Sequence, residues 1–304
     1  MDVFPYFRLL KTSLYQSLQL NMSRPPVIII GMHRSGTTMI TQQLEQLGLF
    51  VGDQKEVNNE AYFFWDINNW IFDICTCKAE LPHNFRYLNP AAKEVIVRDL
   101  HYFTQSFQRK KFLGWGKFFR FRDIKDLDIP WGWKDPKNSF TLELWKEVFP
   151  QAKILHIYRN PLDSISSYIK RDLVMKNNFR LNWKKIIKRS LLIGNKYHAN
   201  FRLYSLEEGY NLWEEYVSQC LLVKENVLHI RYEDFLEQPE KYLSEAASFC
   251  GLNATESAIQ AQVAKVRKDR AFAFMQDENA KAVYERIKTR PIMQELGYDQ
   301  ISGS

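Results

Sequence analysis

One segment restricts the fold more than any other. Val27-Ile28-Ile29-Ile30 is an unbroken β-branched run, entered from the chain breaker Ser23-Arg24-Pro25-Pro26 and left through Gly31-Met32-His33-Arg34-Ser35-Gly36. An apolar run without polar alternation describes a strand buried on both faces, as in a parallel sheet covered by helices. Thr37, Thr38, Ile40, Leu44 and Leu47 follow in a helical stretch that Gly48 stops. Strand, tight loop and helix make the first half of a βαβ unit. Such a loop aims free backbone N–H groups and the positive end of a helix at one point, which makes an anion cradle. Arg34 adds a bidentate donor, and Ser35, Thr37 and Thr38 add hydroxyls. The nucleoside-triphosphatase pattern requires Lys at position 37, where Thr37 stands, and no apolar strand ends in a magnesium-binding Asp. The cradle therefore reads as one for a phosphate held without an obligatory metal.

The same grammar returns downstream. Lys153 to Tyr158 reads as a strand, Arg159-Asn160-Pro161 as a loop, and Leu162 to Lys170 as a helix with Pro161 at its first position. Asn160 as N-cap with Asp163 three residues on reads as an acidic variant of a capping box. Asn226 to Arg231 is another strand, leading through Tyr232-Glu233-Asp234-Phe235 into a helix expected to run to Phe249 and close at Gly251. Trp131-Gly132-Trp133-Lys134 makes a further short strand that turns at Asp135-Pro136. The fold class expected is α/β: a central, mainly parallel sheet flanked by helices, P-loop-like, with its ligands at the carboxyl ends of the strands.

Residues 58–130 depart from this grammar, being aromatic-rich and helical, then strongly basic from Arg109 to Arg122. They read as a helical insert between the first strand-loop-helix and residue 130, with about 55–130 on the acceptor side. Leu9, Leu10, Leu14, Leu18 and Leu20 mark residues 1–24 as an N-terminal amphipathic arm. At 304 residues the remainder, 25–300, is expected to form a single domain.

Composition narrows the class. With 45% hydrophobic and 25% charged residues, wholesale disorder is excluded. The net charge of +7 fits an anionic partner without identifying one. No run approaches the ~18 apolar residues of a membrane span, and the amino terminus lacks the layout of a signal peptide. Cys75 and Cys77 form a C-x-C pair without further ligands at zinc spacing, and with Cys220 and Cys250 they do not make a disulfide scaffold. A cytoplasmic protein without stable membrane insertion is expected. Trp183 to Arg189, a basic amphipathic turn, reads first as a solvated helix face and second as a contact for a membrane or an acidic partner.

Three segments together resemble a known family. Gly31-Met32-His33-Arg34-Ser35-Gly36-Thr37-Thr38 is similar to the 5′-phosphosulfate loop of sulfotransferases that use 3′-phosphoadenosine-5′-phosphosulfate (PAPS). Arg159-Asn160-Pro161, with Ser167 eight residues after the Arg, resembles the element that holds the 3′-phosphate. Tyr232-Glu233-Asp234-Phe235 resembles the Tyr-Glu-Asp segment near the adenine. The three occur in family order at the ends of expected strands, which makes the match specific where one loop would not be. The resemblance implies that His33, Arg34, Ser35, Gly36, Thr37, Thr38, Arg159, Ser167 and Tyr232 bind PAPS, with no metal. Ser164 shares a helix face with Asn160 and Ser167, whereas Ser166 points elsewhere.

Lys134, in Trp133-Lys134-Asp135-Pro136, resembles the Lys-Asp-Pro segment of tyrosylprotein-type and bacterial relatives, where the Lys reaches the bridging oxygen. Phenol-type relatives use a His after their Lys, and Pro136 occupies that spot here. The resemblance makes Glu60 the first choice of base, with Glu56 and His33 behind it. Val266-Arg267-Lys268-Asp269-Arg270 resembles the Arg-Lys-Gly segment that closes over the 3′-phosphate, with Asp269 in place of Gly. Arg267 is the ligand expected there, with Arg270 as the substitute. The basic aromatic stretch Arg109 to Arg122 reads first as a half-buried hairpin and second as an acceptor-site lid.

The expected function is transfer of a sulfuryl group from PAPS, roughly in line, to a hydroxyl acceptor, a carbohydrate or small molecule ahead of a protein. The rivals are a phosphoryl-transferring kinase, which needs magnesium and ATP, and a nucleic-acid-binding protein using the basic stretch. No nucleic-acid partner is expected under the leading reading.

Overall fold

A computed structural model describes residues 23–180, 201–267 and 270–301. Most of the amphipathic arm, the Trp183 to Arg189 turn and Lys268 lie outside the described residues.

Strands β1 (Val27–Ile30), β2 (Gly132–Lys134), β3 (Lys153–Tyr158) and β4 (Val227–Arg231) form one parallel sheet in the order β2-β1-β3-β4. All four residues of β1 are buried, as its apolar run requires. Side chains alternate between two cores. Ile28, Ile30, Trp133 and Ile154 pack on one face, and Val27, Ile29, Leu155, Ile157 and Ile230 on the other. In register, Ile29 lies beside Lys134 and Leu155, Ile30 beside His156, and Tyr158 beside Arg231. Parallel strands in step end on one rim. The Gly31 to Gly36 loop, Lys134, Arg159 and Tyr232 all emerge there.

The helices that cover the sheet are, in chain order, α1 (Thr37–Gln46), α2 (Tyr62–Ile74), α3 (Pro90–Gln105), α4 (Lys110–Arg120), α5 (Asn138–Val148), α6 (Pro161–Arg180) and α7 (Leu206–Leu221). After β4 come α8 (Tyr232–Glu237), α9 (Pro239–Phe249), α10 (Glu256–Val263), α11 (Glu278–Ile287) and α12 (Pro291–Glu295). Among the described residues no helix is long and apolar enough to cross a membrane.

Three local expectations are corrected. The helix expected to run unbroken to Phe249 is two helices, because Pro239 starts a new one after Gln238 leaves the helical region at φ −122° and ψ 61°. Asn160 does cap α6, its Oδ1 accepting from the N–H groups of Leu162 and Asp163 at 3.0 and 3.3 Å. The box is not closed, however. The Asn160 N–H donates to Glu233, and Asp163 turns away to accept from Phe274 N at 2.8 Å and pair with Arg159 at 3.2 Å. The stretch Arg109 to Arg122 is α4 rather than a hairpin. Gly114, at φ 66° and ψ 173°, breaks the helix into two short segments, and the second bends back far enough for Arg109 Nε to donate to the Phe121 carbonyl at 3.4 Å. The carbonyls of Lys111 and Phe112 accept from the N–H groups of Gln54 and Asp53.

Candidate active site

The loop after β1 is shaped by close approach. A Cβ at Gly31 (φ 140°) would sit 2.2 Å from the Ile157 carbonyl oxygen, so only glycine lets the loop lie against the end of β3. Arg34 takes a left-handed backbone (φ 71°), and its Nε donates to Ser167 Oγ on α6 at 2.9 Å. Gly36 caps α1 with no side-chain hydrogen bond and no acidic residue in the first turn, so the helix presents its positive end unneutralised. Thr38 Oγ1 donates to the Asn58 carbonyl at 3.2 Å and ties α1 to the segment before α2.

On the other side of the rim, the Arg159 guanidinium lies 4.7 Å from the centre of the Tyr232 ring. Its Nη2 donates to the Arg270 carbonyl at 2.5 Å, while its Nε is buried without a partner. Tyr232 is buried, and it packs so closely on the loop that a Cβ at Gly36 would come within 2.3 Å of its ring.

These groups meet. A cavity of about 320 Å³ is lined by His33, Arg34, Gly36, Thr37, Thr38, Glu60, Lys134, Arg159, Ser167 and Tyr232. Ser35 is buried beneath the loop and does not line it. Arg270 lines it where Arg267 was expected, and Arg171, Asn58 and Gln42 join it unannounced. Arg171 follows Ser167 by four residues on α6, a helical spacing that extends the face already carrying Ser164 and Ser167. A larger groove of about 640 Å³ between the end of α2 and α3, lined by residues such as Ile74, Tyr87 and Val95, contains no charged side chain.

The electrostatics of the cavity are lopsided. Burial lowers the Arg34 pKa, and Arg171, Arg159 and Arg270 push it further in the same direction. His33 is held well below its ordinary value, first by complete burial and then by Arg171, Lys137, Lys134 and Arg34, so its ring is neutral near pH 7. Against these cations the cavity wall offers one carboxylate, Glu60. Lys134 Nζ donates to Glu60 Oε1 at 2.8 Å, with both side chains buried. Burial raises the Glu60 pKa, Lys134 opposes that rise, and Asp135 and Glu56 add to it. Glu56 is committed elsewhere, its carboxylate accepting from both the backbone N–H and the side-chain amide of Asn58.

Residues 25–256 match the sequence model described as Sulfotransferase family. The chain belongs to the sulfotransferase family. It is therefore an enzyme of sulfuryl transfer. Among solved structures, a sulfotransferase from Alicyclobacillus acidocaldarius overlays with a TM-score of 0.47 at 18% identity, covering 92% of this chain and 98% of that one. A sulfotransferase from Mycobacterium tuberculosis gives 0.47 at 14% identity over 92% and 81% of the two chains. The sulfotransferase domain of a Synechococcus olefin synthase gives 0.44 at 18% identity over 92% and 96%. No curated protein matches the chain significantly. Family membership follows from the sequence match.

In this sulfotransferase a buried amide fixes the lysine. Asn68 on α2 donates to Asp135 Oδ2 at 2.9 Å and to Asn138 Oδ1 at 2.8 Å. Its own oxygen accepts from Thr141 Oγ1 at 3.0 Å and Trp145 Nε1 at 2.9 Å. One residue from α2 thus joins the turn after Lys134 to α5, with all of its main hydrogen-bonding capacity satisfied. About one turn earlier on α2, Phe64 stacks on Trp133 with ring centres 3.9 Å apart. Glu60, just ahead of α2, is thereby set against Lys134. No pattern in the sequence announces Asn68.

Proposed function

We propose that the enzyme takes PAPS as donor and transfers its sulfuryl group to a hydroxyl of a carbohydrate or small molecule, a protein acceptor being the second choice. The observation that carries this reading is the gathering of Arg34, Arg159, Arg171 and Arg270 around one cavity beside the Lys134–Glu60 pair. Like charges brought together in partly buried positions repel, and a ligand bearing several negative charges relieves that cost. The unpartnered Arg159 Nε and the open end of α1 fit phosphate oxygens at two places. On this assignment Arg34, Gly36, Thr37 and Thr38 hold the 5′-phosphosulfate, Arg159 and Ser167 the 3′-phosphate, with Arg270 covering it, and Tyr232 lies by the adenine.

Lys134 and Arg34 stabilise the negative charge that grows on the leaving phosphate, and Glu60 accepts the proton of the attacking hydroxyl. The chemistry needs fixed cations, which the side chains supply in place of a metal. Residues 25–300 act as one catalytic unit in this reading, and 55–130 form the acceptor side because Glu60 sits at their edge.

The test is ligand-induced stabilisation. 3′-Phosphoadenosine-5′-phosphate should raise the Tm in EDTA. Stabilisation only by ATP with magnesium would replace this reading with a kinase. Screening acceptors with labelled donor then identifies the hydroxyl.

A further inference from the structure

We propose that the distal half of α4 is a docking surface for an anionic lipid membrane, gripped by exposed rings and the cations among them. The reading is independent of the donor assignment. Residues 107–122 carry six Lys or Arg and no Asp or Glu. Two of the six are matched, Lys111 with Asp66 and Arg120 with Asp128. Arg109 lies near Asp126 and donates to the carbonyls of Gln105, Ser106 and Phe121, whereas Lys110 and Lys117 form no ion pair among the described residues.

The kink gives the surface its form. Phe112 and Leu113 are buried and anchor the first half of α4 in the core. At Gly114 the backbone turns left-handed, where a Cβ would also meet Asp53 at 2.8 Å. Past it Trp115 and Phe119, one helical turn apart, stand 56% and 76% exposed, joined by Phe107 at 62%. The rings form one cluster. Trp115 stacks on Phe119 at 5.7 Å between centres, and Phe107 lies 6.3 Å from Trp115. Lys110 Nζ sits 4.1 Å from the centre of the Trp115 ring and Arg109 4.2 Å from that of Phe118.

Three large rings clustered on the surface mark an interaction site. Charge complementarity names the cover. Aromatic edges beside the unmatched Lys110 and Lys117 suit the boundary between anionic headgroups and acyl chains, where rings sink shallowly and cations meet the headgroups. Single-stranded nucleic acid needs free ring faces. Here Trp115 is stacked on Phe119 with Lys110 over its ring, and Arg109 covers Phe118.

The full chain should be floated with vesicles of phosphatidylcholine alone and of phosphatidylcholine with phosphatidylglycerol, in parallel with Trp115→Ser/Phe119→Ser and Lys110→Gln/Lys117→Gln. The expected result is binding to the anionic vesicles, weakened by salt, and reduced about tenfold or more by the aromatic double substitution at unchanged Tm. The lysine double substitution should remove most of the preference for anionic lipid. Four results would overturn the proposal. These are no binding by the unaltered chain, binding untouched by the aromatic pair, tighter binding of a single-stranded oligonucleotide that the pair abolishes, or a concentration-dependent dimer that the pair dissolves.

Discussion

Lys134 and Glu60 form a buried ion pair, 2.8 Å from Nζ to Oε1, on the wall of the cavity that gathers the arginines. The two groups proposed to act at opposite ends of the reaction thus neutralise each other in the free protein. Glu60→Gln keeps an acceptor for Lys134 and should leave stabilisation by 3′-phosphoadenosine-5′-phosphate intact while lowering kcat by about 10²–10⁴. Glu60→Ala strands the lysine charge and should cost about 3–5 kcal/mol in urea unfolding as well. Lys134→Ala should nearly abolish turnover while nucleotide affinity falls less, because the lysine acts mainly on developing charge. Equal losses of affinity and rate would reduce Lys134 to an ordinary ligand.

Burial, with Asp135 and Glu56, raises the Glu60 pKa more than Lys134 lowers it. A base must be deprotonated to work, so the acid limb of kcat/KM against pH should lie above the ordinary glutamate value of about 4.3. The stability consequence has the opposite sense. A carboxyl whose folded pKa is raised binds its proton more tightly in the native state, so its contribution is lost as pH rises through the folded pKa. Glu60→Gln should remove both effects. An acid limb that persists in that variant would assign the base elsewhere.

Arg171 contributes the largest charge effect on both Arg34 and His33 after burial itself. Its Nε is buried without a partner. Arg171→Ala should weaken binding of 3′-phosphoadenosine-5′-phosphate about tenfold or more by calorimetry, the scale of one charge-assisted hydrogen bond. Arg270→Ala should do the same. Arg267→Ala should leave affinity nearly unchanged, since Arg267 does not line the cavity. A larger loss from Arg267 than from Arg270 would restore the original order of preference.

The strand ends were legible because buried parallel strands read as apolar runs, and the residues leaving them are the ones brought to one rim. Val27 to Ile30 and Lys153 to Tyr158 needed no tertiary information. Arg171 was within reach, since the helical face carrying Ser164 and Ser167 continues to it. Asn68 was not. Its role comes from four partners spread over 67 to 77 residues of sequence separation, and a lone asparagine in an aromatic helix has no local signature. In α4, two glycines among rings and cations look the same in sequence whether they turn the chain or kink a helix. The structure does both, with helical backbone on either side of Gly114 and Arg109 brought back against Phe118 and Phe121, contacts that no local pattern shows.

Within the sheet, His156 Nδ1 lies 2.9 Å from His229 Nδ1 on the neighbouring strand. Burial, reinforced by His229, holds His156 down to about 3 against an ordinary value of 6.5. The unfolded chain takes up a proton near pH 6.5 that the native protein refuses until about pH 3. Stability from this group is therefore complete above pH 6.5 and is lost as pH falls through that window, on the order of 5 kcal/mol across the whole of it. Urea midpoints at pH 7 and pH 4 should differ less in His156→Leu than in the unaltered protein. An equal difference would place the acid sensitivity elsewhere.

Gly36 and Tyr232 should be energetically coupled, although one begins α1 and the other begins α8. Gly36→Ala forces a side chain into a left-handed backbone at φ 100°, and its methyl would lie 2.3 Å from the Tyr232 ring. The first cost stays with the backbone, roughly 1–2 kcal/mol. The second is steric, and the ring can relieve it only by moving off Arg159, whose guanidinium it faces at 4.7 Å. Gly36→Ala should therefore lower the Tm and also weaken nucleotide binding about tenfold or more, by disturbing the loop that carries Arg34 and, through the ring, the proposed phosphate ligand Arg159. Tyr232→Ala in the same chain removes the clash but not the backbone strain. The double variant should consequently be more stable than the sum of the two single losses predicts, by about 1 kcal/mol or more. Strict additivity would mean that loop and ring do not press on each other, and that the Gly36 requirement is set by backbone geometry alone.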